Sequence, residues 1–117
     1  MKLGSIHHVA IIVSDYERSK KFYVEKLGFE IIRENYRAER GDYKLDLKLD
    51  GCELEIFSAV GNPPRPSYPE ACGLRHLAFR VESAEEAVAW LRTLGIECEP
   101  VRIDPFTRKR MTFFFDP

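Results

Sequence analysis

The chain repeats itself. His8-Val9-Ala10-Ile11-Ile12-Val13 leads through a helix-patterned stretch to Leu27-Gly28-Phe29-Glu30, and His76-Leu77-Ala78-Phe79-Arg80-Val81 leads through a second such stretch to Leu94-Gly95-Ile96-Glu97. The offset is 68 residues at the histidines and 67 at the Leu-Gly pairs, so the copies stay in register apart from one residue deleted in the second helix. A duplication of this kind restricts the fold to two copies of one supersecondary unit. It also sets a histidine at the same point of the same strand in each copy, and neutral imidazole is the commonest metal ligand.

Within the first copy, Ile6 to Val13 reads as a buried strand, and Ser14-Asp15 offers an N-cap for a helix over Tyr16 to Leu27 that Gly28 ends. Phe29 to Tyr36, Tyr43 to Leu49 and Cys52 to Phe57 read as three further strands. Leu45, Leu47 and Leu49 alternate with Lys44, Asp46 and Lys48, and Asp50-Gly51 is the signal of a type I′ hairpin. The unit is therefore βαβββ. Four prolines between Gly61 and Pro69 exclude a helix interior or central strand there and mark a linker.

In the second copy, Ser83 caps a helix from Ala84 to Leu94 whose apolar face is Ala87, Val88, Trp90 and Leu91; strands follow near Ile96 to Ile103 and at Met111 to Phe115. The expectation is one domain over 1–117, with modules at 5–60 and 74–117 joined by a linker at 61–73. The second module's counterpart of Cys52 to Phe57 falls past Pro117 and is absent from the sequence given.

Charge narrows the partners. With 18 basic against 19 acidic side chains the chain has no electrostatic grip on nucleic acid or an anionic membrane, and a small molecule is the expected partner. Arg108-Lys109-Arg110 lacks interleaved aromatics and reads as a solvated patch. No run approaches the roughly 20 apolar residues of a membrane span. Cys52, Cys72 and Cys98 are odd in number and without C-x-x-C spacing, so they read as buried free thiols in a cytoplasmic protein.

Side chains alternate across a strand, so His8, Ala10 and Ile12 share one face, and Glu53, Glu55 and Phe57 share another; His7 points away from His8, toward the surface. Small Ala10 and Ala78 leave room beside each imidazole. Taken singly, His8 reads as a core histidine and Glu55 as an ion-paired strand residue. The repeat reverses that reading: two histidines at equivalent positions, with an acidic strand residue 47 positions after the first, read as a His8/Glu55/His76 metal site.

The two His-hydrophobic-Ala strands, the paired βαβββ units and the Phe115-Asp116-Pro117 ending resemble the vicinal oxygen chelate superfamily, which includes glyoxalase I, methylmalonyl-CoA epimerase, fosfomycin-resistance enzymes, extradiol dioxygenases and bleomycin-binding proteins. The nearest likeness is to small bacterial glyoxalase-I-like proteins, through Ala71 to Phe79 and Asp104-Pro105-Phe106-Thr107 with Lys109-Arg110. The resemblance implies an α+β fold, two βαβββ modules forming a curved mixed sheet around a metal-binding cleft with helices outside. It implies one divalent ion, nickel or zinc in the glyoxalase branch and manganese or iron in others, held by His8, Glu55 and His76, with a fourth ligand past Pro117.

The implied activity is that of a lyase or isomerase that moves a proton on a substrate with adjacent oxygens, Glu55 acting as the base, in a homodimer. The two positions that help hold glutathione in glyoxalase I are Ile12 and Ala59 here, which leaves glutathione recognition without support. Arg80, the counterpart of Ile12 in the second copy, is the candidate substrate anchor; Arg33, Arg37, Lys44 and Lys109 are further cations without a discriminator. The alternative is a metal-free protein of the bleomycin-resistance type that binds a small molecule or antibiotic.

Overall fold

A computed structural model describes residues 1–117. It divides into two units, Met1–Arg65 together with Pro117, and Pro66–Asp116. No helix in either is long and apolar enough to cross a membrane.

In the first unit, strand β1 (His8–Ile12) is followed by helix α1 (Tyr16–Lys20) and the strands β2 (Ile31–Arg37), β3 (Asp42–Leu49) and β4 (Cys52–Ala59). The four strands form one sheet in the order β1-β4-β3-β2, with β1 parallel to β4 and the other pairs antiparallel. Asp15 caps α1 as its sequence position requires: its backbone is extended and its Oδ1 accepts from Arg18 N–H at 3.1 Å.

The helix does not run uniformly to Leu27. From Lys21 to Lys26 it widens into π-helical turns, and Leu27 N–H donates to Phe22 C=O at 2.9 Å. The wider turn lets two consecutive aromatics, Phe22 and Tyr23, both bury themselves alongside Tyr16 and Ser19. Gly28 then leaves the helix at φ 78°, where a side chain would be strained.

The expected type I′ turn between β3 and β4 is not formed. A type I′ turn needs positive φ at both central residues, and here Gly51 has it (76°) while Asp50 does not. The turn takes the φ signs of type II. The two-residue loop still pins the register, Leu49 opposite Cys52.

That register sorts the two faces. Leu45, Leu47, Leu54 and Ile56 have no solvent exposure, and Leu47 lies opposite Leu54 and Leu45 opposite Ile56. Each contributes about 1.5–3 kcal/mol by burial, and together they form the core of the unit. Tyr16 of α1 stacks on Tyr43 of this face at 4.2 Å between ring centroids, and both Lys20 and the Tyr16 hydroxyl bond Glu34. The opposite face carries His8, Ala10, Asp42, Lys44, Asp46, Lys48, Glu53, Glu55, Arg33 and Arg37 by the same alternation.

In the second unit, helix α2 (Ala84–Thr93) is capped by Ser83, whose Oγ accepts from Glu86 N–H at 3.2 Å. Ala84 and Leu91 are buried with Ile96, whereas Trp90, expected on the apolar face, is 48% exposed. Ala84 and Leu91 lie seven residues apart on one stripe, and Trp90 lies about 100° around the helix from Leu91.

The strands expected after α2 reduce to a short hairpin of β5 (Arg102–Ile103) with β6 (Arg110–Met111) and a single bridge between Cys98 and Phe114. Asp104 Oδ1 holds the hairpin tip by accepting from Phe106 and Thr107 N–H at 2.7 and 3.0 Å. Residues 76–81 join no ladder in their unit. In the first unit β1 obtains its ladder from β4. All three cysteines are free; Cys52 and Cys98 are partly buried, but Cys72 is exposed, contrary to the expectation of three buried thiols.

Candidate metal centre

The polar face of the first sheet is where strand alternation gathers titratable side chains. In the parallel β1–β4 pair His8 is opposite Glu53 and Ala10 is opposite Glu55. The imidazole nevertheless reaches along the face to the second carboxylate, with His8 Nε2 3.6 Å from Glu55 Oε2. Ala10 has only a methyl group to present between them, which permits that reach. The Glu55 side chain is 14% exposed and that of His8 is 44% exposed, so the pair is reachable from solvent at the imidazole end.

His7 is exposed, as expected, but it does not turn away from its neighbour. Its Nδ1 lies 2.9 Å from His8 Nδ1, with the two rings edge to face at 5.2 Å. His7 precedes β1, so the alternation rule does not govern it. One of the two Nδ1 atoms donates and the other accepts, which orients the His8 ring so that Nε2 faces Glu55. Metal-binding imidazoles are commonly oriented in this way through their other nitrogen.

Around this pair runs an ionic network on which the sequence reading placed no weight. Asp46 is wholly buried, yet ionised: Lys44 Nζ donates to Oδ1 at 2.7 Å and Arg33 Nε to Oδ2 at 2.5 Å. Burial pushes its carboxyl upward, and the hydrogen bonds from Lys44 and Arg33 outweigh this and hold it below the usual range. Lys44 Nζ also donates to Glu55 Oε1 at 3.2 Å, and Arg33 Nη2 to both oxygens of Glu53 at 3.3 and 3.2 Å. Farther along, Arg37 Nε donates to Asp42 Oδ1 at 2.7 Å and the guanidinium lies over Phe57. The signal was present in the Lys44-Leu45-Asp46-Leu47-Lys48 alternation, which sets these charges on one face with Asp46 opposite Glu55.

The donor chemistry fits a divalent ion. Bonds to imidazole nitrogen and carboxylate oxygen run about 2.0–2.2 Å each, so an N···O separation of 3.6 Å is one that a single ion can bridge. Asp46, Glu53 and Glu55 also bring carboxylate oxygens within 4.8 Å of one another. His76 belongs to the second unit, where it is exposed and meets the Phe113 ring edge to face at 5.6 Å. Arg80 is exposed in the same unit. The structure thus brings together His8 and Glu55 of the expected site residues and describes His76 and Arg80 separately.

A family model described as Glyoxalase/Bleomycin resistance protein/Dioxygenase superfamily matches residues 5–117. The chain is 62% identical to the uncharacterized protein YwkD of Bacillus subtilis (strain 168), over all of this chain and 92% of that one. Among solved structures, a glyoxalase family protein from Enterococcus faecalis is 65% identical with a TM-score of 0.92, covering 97% of this chain and 90% of that one. The trypanothione-dependent glyoxalase I of Leishmania major is 28% identical with a TM-score of 0.68, covering 98% and 81%.

Proposed function

The chain belongs to the Glyoxalase/Bleomycin resistance protein/Dioxygenase superfamily, and on that footing we propose that it is a divalent-metal-dependent lyase or isomerase of glyoxalase type, acting on a small molecule with two adjacent oxygens. The observation that carries the reading is the 3.6 Å approach of His8 Nε2 to Glu55 Oε2 on the polar face of the sheet.

In this reading His8 and Glu55 hold the ion, and His76 is its third ligand by equivalence of position in the repeat, supplied by the same chain or by a second copy in a homodimer. Nickel or zinc suits a site of imidazole and carboxylate. The ion supplies Lewis acidity toward a substrate oxygen. Glu55 would be the base that takes a proton from one carbon of the substrate and returns it to the next, and to do so its Oε2 would leave the ion, because Oε1 is bonded to Lys44. His7 keeps the His8 ring turned toward Glu55. Arg80 is the proposed anchor for a negatively charged part of the substrate. Ile12 and Ala59, at the two positions noted above, offer no charge or amide to a glutathione carboxylate.

The test is elemental analysis of protein purified without chelator or histidine tag, beside His8→Ala, Glu55→Gln and His76→Ala. The expected result is about one equivalent of nickel, zinc, manganese or iron per chain, lost in each variant, followed by a screen for proton transfer on 2-oxoaldehyde adducts and 2-substituted acyl thioesters. A native protein that carries no metal after attempted reloading overturns the reading in favour of the metal-free binding protein.

A further inference from the structure

Asp46, Glu53 and Glu55 bring their oxygens within 4.8 Å of one another. Clusters of carboxylate oxygens at such spacing attract hard cations, which prefer many oxygen ligands. In this chain two cations of the same sheet, Lys44 and Arg33, already engage all three carboxylates and offset most of their charge. Both Asp46 oxygens are taken, one by Lys44 and one by Arg33, and Arg33 also spans both oxygens of Glu53. Lys44 takes Glu55 Oε1, while Oε2 faces His8.

We propose that Lys44 is a specificity-determining residue of the metal site: its ammonium ties Glu55 Oε1 to buried Asp46, so that the face offers an incoming ion one carboxylate oxygen beside an imidazole and not a cage of oxygens. The inference rests on the metal-site reading above and narrows it to which ions the site accepts.

Three features of the fold hold Lys44 to this task. Strand alternation puts it on the same face as Asp46, two residues away, and the β3–β4 register sets it opposite Phe57. Its ammonium lies 5.7 Å from the centre of the Phe57 ring, and its side chain is 25% exposed, which limits where it can swing. Asp46 has no exposure and is gripped from its other side by Arg33, so the anchor itself is fixed. The consequence is a preference for ions that accept nitrogen with few oxygens, such as nickel and zinc, over calcium, magnesium and lanthanides. A positive charge already seated on Glu55 also repels any second cation, a trivalent one more strongly than a divalent one.

The experiment is parallel titration of the full chain with Ni²⁺ and with Tb³⁺, the latter read by sensitised luminescence, for the native protein, Lys44→Met, Lys44→Gln and Lys44→Arg. The native chain is expected to prefer Ni²⁺. Removing the ammonium charge is expected to raise Tb³⁺ affinity on the order of tenfold or more, with a smaller change for Ni²⁺. That gain should persist when His8→Ala is added and vanish when Glu55→Gln is added. Lys44→Arg keeps the charge and should behave as native. Lys44→Gln retains a donor for Asp46, so it carries the test if Lys44→Met does not fold.

Tb³⁺ binding by the native chain as tight as that of Ni²⁺ overturns the proposal. So does a Tb³⁺ affinity within twofold of native in a folded Met or Gln variant, or an equal gain in Lys44→Arg. Failure of the underlying metal reading looks different: native Ni²⁺ affinity is then absent, or is unmoved by His8→Ala.

Discussion

His8 Nε2 approaches Glu55 Oε2 to 3.6 Å although the strand register sets His8 opposite Glu53. The β1 residue opposite Glu55 is Ala10, and Glu53 is engaged by Arg33. The candidate site is therefore made along one face of two strands, across a position that has to stay small.

Ala10→Leu should accordingly close the space between imidazole and carboxylate. Ala10 is exposed, so the larger side chain meets no core. The expected outcome is a fall in Ni²⁺ affinity on the order of tenfold to a hundredfold, as for other changes that misplace a ligand, with little change in thermal midpoint. Isothermal titration with Ni²⁺ beside a thermal melt checks both halves.

Leu47 has no solvent exposure and lies opposite the equally buried Leu54. Leu47→Ala leaves a cavity between the two central strands and is expected to cost about 2–5 kcal/mol. Urea unfolding followed by circular dichroism measures it, and a loss under 1 kcal/mol would mean that the sheet is not the core of the first unit.

Glu34 binds Lys20 Nζ at 2.7 Å and also accepts from the Tyr16 hydroxyl, and these two hydrogen bonds hold its carboxyl below the usual 4.5. A carboxyl lowered in the folded state contributes stability that is present above its unfolded value and is lost as pH falls through the folded one. Native stability should therefore decline below about pH 4.5. Glu34→Gln should be less stable than native at pH 7, with the difference shrinking in acid; denaturant midpoints at pH 7 and pH 3 give the comparison.

Ser83 caps α2 by accepting from Glu86 N–H. Ser83→Ala should lower stability by about 1 kcal/mol, whereas Ser83→Asp should preserve it. Chemical denaturation of the two variants side by side separates loss of the cap from loss of the hydroxyl's size.

The βαβββ order of the first copy was legible in its sequence, because hydrophobic period and capping residues are local signals. The Lys44-Leu45-Asp46-Leu47-Lys48 alternation likewise made one face of β3 polar and the other apolar. Local signals failed where a partner was required. Residues 76–81 have the composition of a buried strand but join no ladder in their unit, because a strand is completed by hydrogen bonds to a neighbour and not by its own side chains. Asp50-Gly51 announced a hairpin correctly and its backbone type incorrectly: the dipeptide encoded the position of Gly51 but left the φ of Asp50 open.

By itself the sequence singled out candidate ligands: a histidine at the same point of each copy and a glutamate on the fourth strand of the first copy. Tertiary structure decided what those residues meet. It gave Glu55 to His8 across Ala10, turned His7 onto the His8 ring, and drew Lys44 and Arg33 onto a carboxylate with no access to solvent. The physical reason is that alternation and turn length fix a side chain's face and register, while ion-pair partners are chosen by competition among all charges on that face, a balance set in three dimensions and strengthened by burial.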